Sequence, residues 1–281
     1  MEEITVKQAT AADKPSVARL LESAGRIHLS FEVEDIGAWL DIQPFLLALA
    51  DDRLMGFILC TLRHPSRAWL GGLGLADNWP LETALRSLLP PALSSLSAQG
   101  ATHLICMGNE RWLVNPLQQR WGFETCEFVV TYVKRDWVVP GRGNPWVRIR
   151  PARPADIPAL VDLDRITFKS LWSHSDLTFA RILKESPYFV VATLEGRVVG
   201  YQFNHQRGEE GHLSRIAVHP AYQGQGIGVR LLAEAIDYFK GEGVRTITLN
   251  TQKHNLVSQR LYRWFGFQLV GEEVPVLRRE L

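Results

Sequence analysis

The feature that most restricts this chain is a long internal repeat. Residues 4–15 read ITVKQATAADKP and residues 147–158 read VRIRPARPADIP, so Ala9, Ala12, Asp13 and Pro15 answer Ala152, Ala155, Asp156 and Pro158 at an offset of 143. Arg53 and Gly56 answer Arg197 and Gly200, and Gly122-Phe123 answers Gly266-Phe267, at an offset of 144. A register kept across three separated segments, far longer than the roughly 20–50 residues of a solenoid repeat, points to a duplicated domain. With 281 residues in all, each copy has an ordinary domain's length. Between the copies, Asp136 to Trp146 carries Pro140, Gly141, Gly143 and Pro145, a composition that resists both helix and sheet. The reading is a first domain over 1–137, a linker over 138–146 and a second domain over 147–281.

Within each half, short β-rich runs such as FVVATL and VVGYQFNH precede helical patterns such as LLAEAIDYFK, which predicts an α/β chain with a mixed sheet. Asp13 and Asp156 mark the start of the first helix of each copy. Apolar residues make up 46 %, and no run approaches the roughly 18 apolar residues of a membrane helix. A net charge of +1 gives no electrostatic footprint for nucleic acid or an anionic membrane, so neither is expected as a partner. Met1-Glu2-Glu3-Ile4 has neither the basic start nor the apolar core of a secretory leader, and a cytoplasmic location is expected. Cys60, Cys106 and Cys126 are widely spaced without a metal-ligand pattern, so buried thiols and no metal site are expected.

Residues 212–241 read HLSRIAVHPAYQGQGIGVRLLAEAIDYFKG, which is a strand, a glycine-rich turn and a helix in succession. Leu231, Leu232, Ala235, Ile236 and Phe239 recur at helical spacing. Gly224, Gly226 and Gly228 strip side chains from the helix entry, so free N–H groups and the positive end of the helix dipole can face an anion. Read alone, the trio serves a tight turn equally well. The absence of Lys-Ser or Lys-Thr after the glycines, and the GxGxG spacing, disfavour the two common nucleotide loops.

The run Gln223-Gly224-Gln225-Gly226-Ile227-Gly228, preceded by Val218-His219-Pro220, resembles the Q/R-x-x-G-x-G/A signature of GCN5-related N-acetyltransferases. Residues 255–267, NLVSQRLYRWFGF, resemble that family's N-x-x-A/S-x-x-x-Y-x-x-x-G-F segment. The resemblance implies an α/β (α+β) fold of two tandem domains, each a mixed, mostly antiparallel sheet flanked by helices. It further implies a coenzyme A diphosphate held by backbone amides of Gln223, Gly224, Gln225, Gly226, Ile227, Gly228 and Val229. By the same resemblance, Ile216-Ala217-Val218 pairs with the pantetheine arm, one amide lying near the thioester oxygen, where a donor stabilises developing negative charge. The resemblance also implies that Asn255 contacts the pantetheine and that Tyr262 protonates the departing thiolate. Asn255, Ser258 and Tyr262 fall at i, i+3 and i+7, along one helix face, and Val257, Leu261 and Trp264 form a second face available for burial.

The activity implied is direct transfer of acetyl from acetyl-coenzyme A to a primary amine, on a small molecule or a peptide, through a ternary complex. The alternative is a non-catalytic coenzyme A-binding sensor or scaffold, against which the retained Tyr262 and Asn255 argue. A lysine-like amine has a pKa near 10.4, so a base or proton wire is required. Glu209, Glu210 and His212 are candidates among which the sequence does not choose, and a solvated turn suits the glutamates. At offset 144 the first copy has Trp79-Pro80-Leu81-Glu82-Thr83-Ala84 where the glycines stand and Gln118 where Tyr262 stands. The expectation is a first domain that keeps the fold without the cofactor loop. Phe168, Trp172 and His174 follow the first helix of the second copy, where the family often builds its acceptor pocket, although packing explains Phe168 and Trp172 as well.

Overall fold

The computed structural model describes residues 4–30, 36–40, 42–64, 66–168 and 170–281; Met1–Glu3, on which the reading of the leader rests, lie outside them. The first copy runs β1 (Ile4–Gln8), α1 (Lys14–Ser23), β2 (Arg26–Leu29), α2 (Ile36–Trp39), β3 (Phe45–Ala50), β4 (Arg53–His64), β5 (Arg67–Leu75), α3 (Leu81–Ala98), β6 (His103–Met107), α4 (Arg111–Arg120) and β7 (Glu124–Lys134). The second runs β8 (Arg148–Pro151), α5 (Ile157–Thr167), α6 (Asp176–Glu185), β9 (Tyr188–Leu194), β10 (Arg197–Arg207), β11 (Glu210–Val218), α7 (Ile227–Gly241), β12 (Thr246–Gln252), α8 (Leu256–Trp264) and β13 (Gln268–Glu280). No helix among the described residues is long and apolar enough to cross a membrane.

Two compact units emerge, and they divide the chain differently from the repeat. One comprises Met1–Glu127 with Val274–Leu281, the other Phe128–Glu273. The end of β13 therefore pairs in the first unit, antiparallel to β6, whereas Val129–Lys134 of β7 pair in the second, antiparallel to β12. The segment 138–146, read as a linker, belongs wholly to the second unit. Sequence periodicity records that a strand exists but not which sheet it joins, so the repeat could not reveal this assignment.

Each unit carries a mostly antiparallel sheet with one parallel pair. In the first, β1, β3, β4 and β5 pair antiparallel in that order and β6 adds parallel to β5. In the second, β8, β9, β10 and β11 do the same and β12 adds parallel to β11. The repeated acid has one role in both: Asp13 Oδ2 accepts from Thr10 N at 2.9 Å and pairs with Lys7, and Asp156 Oδ2 accepts from Arg153 N at 2.8 Å and pairs with Arg150. Each locks the turn between the first strand and first helix.

A bulge is also duplicated. Phe203 faces Arg215 and Asn204 faces Leu213, leaving Ser214 as the extra residue, while Leu59 faces Gly72 and Cys60 faces Leu70, leaving Gly71. Such an insertion bends its strand and ends regular pairing nearby. The parallel ladder accordingly stops at Leu213↔Leu249 in the second unit and at Trp69↔Ile105 in the first, so both units contain a fork between their parallel strands. Leu231, Leu232, Ala235, Ile236 and Phe239 of α7 are all buried, the first packing against β8–β10 residues and the rest against Leu213, Ile247 and Leu249. Of the cysteines, Cys60 and Cys106 are buried with thiols pushed up by burial, Cys106 to about 12. Cys126 departs from expectation: it is exposed near a strand end, its Sγ donating to Val276 O at 3.4 Å.

Candidate active site

The fork of the second unit gathers the segments singled out by sequence. His219 N donates to Val199 O at 2.9 Å, and antiparallel pairing alternates, so Ala217 and Arg215 turn their main-chain groups toward β10 whereas Ile216 and Val218 present theirs to the open edge. Of the three strand residues expected at the pantetheine arm, Ile216 and Val218 turn main-chain groups to that edge and Ala217 does not. The carbonyl of Val218 is already engaged, accepting from Gln223 Nε2 at 3.1 Å, which ties the strand end to the start of the loop.

The loop needs its glycines. Gly224 and Gly226 both have φ of 76°, a left-handed conformation that side chains other than glycine rarely adopt. Arg230 N is the first amide to reach a helical acceptor, Gly226 O at 3.0 Å, so Ile227, Gly228 and Val229 keep the orphan donors that every helix start leaves. Asn144, which sequence reasoning missed, supplies the complement. Its backbone N donates to Gly226 O at 3.3 Å and its Nδ2 to Gln225 O at 3.1 Å, so two loop carbonyls are held by the segment 138–146, called the strap below, and the N–H groups remain for an anion. Gly143 beside it passes so close that a Cβ there would lie 2.4 Å from Gly226 O and 2.5 Å from Arg230 N. No motif announces Asn144; its nearest signal was the run of glycine and proline around it.

Helix α8 enters from the other side. A Cβ added at Gly228 would meet Leu261 Cδ2 at 3.4 Å and Val218 Cγ2 at 3.8 Å, which brings the loop, the end of β11 and α8 within contact of one another. Asn255 caps this helix, its Oδ1 accepting from Ser258 N at 3.2 Å, so its carbonyl oxygen is used structurally and its Nδ2 has no acceptor among the described residues. Tyr262 is buried, with its ring beside Tyr132 and Phe267 at centroid distances of 6.0 Å each. Burial pushes its phenol well above the ordinary tyrosine value and a hydrogen bond with Ser258 opposes the shift, leaving a proton donor at neutral pH. Gln259 braces this wall, accepting from Tyr132 Oη at 3.1 Å and donating to Lys253 O at 2.7 Å.

One face assignment on α8 is corrected. Val257 and Trp264 are exposed rather than packed, and only Leu261 of that set is partly buried. The inward face is the one carrying Gln259, Tyr262 and Phe265, because an aromatic wall made with Tyr132 and Phe267 removes more apolar area from water than Val257 could.

The face of β11 opposite Leu213 carries polar groups. His212 Nδ1 lies 2.8 Å from Thr248 Oγ1, whose own proton goes to Gly211 O at 3.2 Å. The hydroxyl has one proton to give, so Nδ1 carries the ring hydrogen and Nε2 the lone pair. Burial, with His205 nearby, lowers the His212 pKa to about 4, keeping it neutral. Glu209 and Glu210 are exposed at the β10–β11 turn, before the fork, and Glu209 pairs with Arg245 at 3.0 Å. Beyond the bulge, Arg215 holds the fully buried Asp164 through Nε at 2.8 Å and Nη2 at 3.1 Å, stacks over Phe168 at 3.7 Å, and donates to Trp172 O at 2.6 Å. Tyr201 also donates to Asp164, and His174 N donates to its Oδ2 at 2.7 Å. This network fixes Phe168, Trp172 and His174 to the strand that bears Ile216 and Val218.

Residues 157–267 match the acetyltransferase (GNAT) family model. A putative [ribosomal protein bS18]-alanine N-acetyltransferase of Bacillus subtilis is 29 % identical over 125 residues, 44 % of this chain and 82 % of the relative. The [ribosomal protein bS18]-alanine N-acetyltransferase of Escherichia coli is 31 % identical over 112 residues, 40 % of this chain and 74 % of the relative. Among solved structures, a tandem GNAT protein from the clavulanic acid biosynthesis pathway superposes with a TM-score of 0.72 at 13 % identity, covering 99 % of this chain and 98 % of the other. A GCN5-related N-acetyltransferase from Sphaerobacter thermophilus gives 0.72 at 15 % identity, covering 99 % and 95 %. The structural likenesses show the fold over the whole chain, and the family model falls on its second half. This chain therefore belongs to the GCN5-related N-acetyltransferase superfamily, with two tandem copies of the fold.

Proposed function

We propose that the second unit transfers acetyl from acetyl-coenzyme A directly to a primary amine, in a ternary complex at the β11–β12 fork. The observation that carries this reading is the contact of the loop that bears the orphan amides at 227–229 with the end of β11 and with Leu261 of α8, the helix that also carries the proton-bearing Tyr262. The residues present fit the donor: the strap holds two loop carbonyls, the dipole of α7 favours a diphosphate, and the open edge of β11 accepts an extended amide-bearing arm. When bound, acetyl-coenzyme A supplies the acetyl group as an activated thioester.

The chain's own residues then have separable tasks. Gln223 to Val229 bind the diphosphate, and the N–H of Ile216 or Val218 stabilises charge on the thioester oxygen. Asn255 Nδ2 and Ser258 face the pantetheine arm, and the Tyr262 hydroxyl gives its proton to the departing sulfur. His212 Nε2 takes the proton from the amine. A base with a pKa near 4 is poorly matched to a lysine amine at about 10.4 and better matched to a peptide α-amine at about 7.7–8.0. An N-terminal α-amine, more of which is neutral near pH 7 without any base, asks less of His212 than a lysine amine does, in keeping with the alanine N-acetyltransferase names of the relatives.

Release of free thiol from acetyl-coenzyme A, measured over a panel of peptide α-amines, lysine amines and small amines, tests the proposal. Tyr262→Phe is expected to lower kcat about 100-fold or more while leaving donor affinity within a factor of two. Donor binding without turnover of any amine would reject the enzyme and leave a coenzyme A sensor.

A further inference from the structure

The segment between the two copies does more than span them. Arg142 pairs with Asp237 of α7, Gly143 lies against the backbone of Gly226 and Arg230, and Asn144 bonds Gly226 O and Gln225 O. Asn144 Oδ1 then accepts from Trp146 N at 2.9 Å, and Val147 is buried beside Ile227 and Leu231. The strap thus runs along α7 toward its N-terminus and fixes Trp146 one hydrogen bond away from the residue that grips the loop. There the indole is 80 % exposed, the most exposed large hydrophobic side chain among the described residues, although its backbone is held on both sides. Exposed aromatic area on a fixed backbone is a poor use of a tryptophan in packing and a good one in stacking.

Arg230 supplies an independent sign. It sits in the first turn of α7, where the helix dipole disfavours a cation, and its Nε is buried without a hydrogen-bond partner among the described residues. A buried guanidinium donor at the positive end of a helix calls for an anion.

We infer that the strap completes the donor site: Trp146 stacks on the adenine ring beyond the diphosphate, and Arg230 answers a donor phosphate. This rests on the reading of the loop as the coenzyme A diphosphate site. Adenine offers a π face, and base–aromatic stacking is strong enough for a roughly ten-fold change in affinity on truncation.

Calorimetry on the full chain tests this with two donors, acetyl-coenzyme A and acetyl-phosphopantetheine, which keeps the thioester arm and one phosphate but has no adenosine. Trp146→Ala is expected to weaken acetyl-coenzyme A about ten-fold and leave the truncated donor unchanged, with Trp146→Phe within about three-fold of wild type. Arg230→Gln is expected to weaken acetyl-coenzyme A by a similar factor. Equal acetyl-coenzyme A affinity of Trp146→Ala and wild type, or an equal loss for both donors, overturns the adenine assignment while the loop reading stands. Unchanged binding by Arg230→Gln overturns the phosphate assignment. Failure of wild type to bind acetyl-coenzyme A removes the loop reading and this inference together.

Discussion

The two copies share a fork and differ in what fills it. In the second unit β11 leaves β12 after Leu213, and no strand among the described residues pairs with the open edge at Ile216 and Val218. In the first unit β5 leaves β6 after Trp69, but β2 pairs antiparallel with the vacated edge, Arg26 against Leu75 through Leu29 against Gly72. Hairpin register equates Leu73 and Leu75 with Ile216 and Val218, so the first copy's own chain occupies the place that the proposed function gives to the acyl arm. The helix entry differs in parallel: α3 starts after Pro80, with Trp79 buried 4 % exposed and packed on Gly56, whereas α7 starts after left-handed Gly226. Loss of the glycine loop and closure of the groove reinforce each other, because an arm without its diphosphate anchor would compete poorly with an intramolecular strand.

The largest test concerns the charge buried beneath the fork. Asp164, Arg215 and Tyr201 form a hydrogen-bonded network in the second unit, where the helix repeat and hairpin register place apolar Leu21 and Phe57 with Gly72 in the first. Asp164→Ala leaves Arg215 without its partner and is expected to destabilise the chain by about 3–5 kcal/mol. Replacing the network together, as D164L/Y201F/R215M, is expected to fall within about 1–2 kcal/mol of wild type, since apolar residues of similar volume often replace a buried ion pair without loss. Chemical denaturation decides; equal destabilisation by the single and triple variants would break the contrast between the copies.

A second test addresses stoichiometry. Gly226→Val forces a β-branched side chain into φ of 76° with its Cβ 3.1 Å from Asn144 N, and donor affinity is expected to fall about 100-fold. The counterpart Pro80→Gly is expected to change donor binding less than two-fold, because β2 still closes the groove. Wild type should titrate with one acetyl-coenzyme A per chain, and a second equivalent of similar affinity would show that β2 yields to the donor.

What the sequence made legible follows from what leaves a local trace. The duplication was readable because turn acids and glycines sit where the backbone demands them, Asp13 with Asp156 and Gly56 with Gly200. The loop and α8 motifs were readable because their spacing is the geometry of a helix. Strand β2 was not, since the alternation of RIHL runs over only four residues and its pairing with Gly72–Leu75 joins positions over forty apart. Asp164 and Arg215 likewise meet from 51 positions apart, with neither residue type unusual where it stands. The burial of Tyr262 in place of Val257 and Trp264 depended on Tyr132, a residue of the strand β7 that the repeat assigned to the other copy.

The smallest predicted effect separates the copies by pH. His212 stands where the hairpin register puts Trp69, a buried residue with nothing to titrate. Its pKa falls from 6.5 to about 4 on folding, chiefly through burial. Between those values the unfolded chain binds a proton that the folded chain refuses, so this residue makes stability rise with pH across the window and fall as pH drops from 6.5 toward 4. Below pH 4 both states are protonated and the loss from this residue is complete. Allowing for its partial exposure, the swing is roughly 2 kcal/mol. Urea unfolding at intervals from pH 4 to 7 should show a shallower dependence in His212→Gln than in wild type, the carboxylates contributing alike to both. Parallel curves would mean that His212 is solvated as a proton sees it, its folded pKa left near the ordinary 6.5 and the contrast with Trp69 lost.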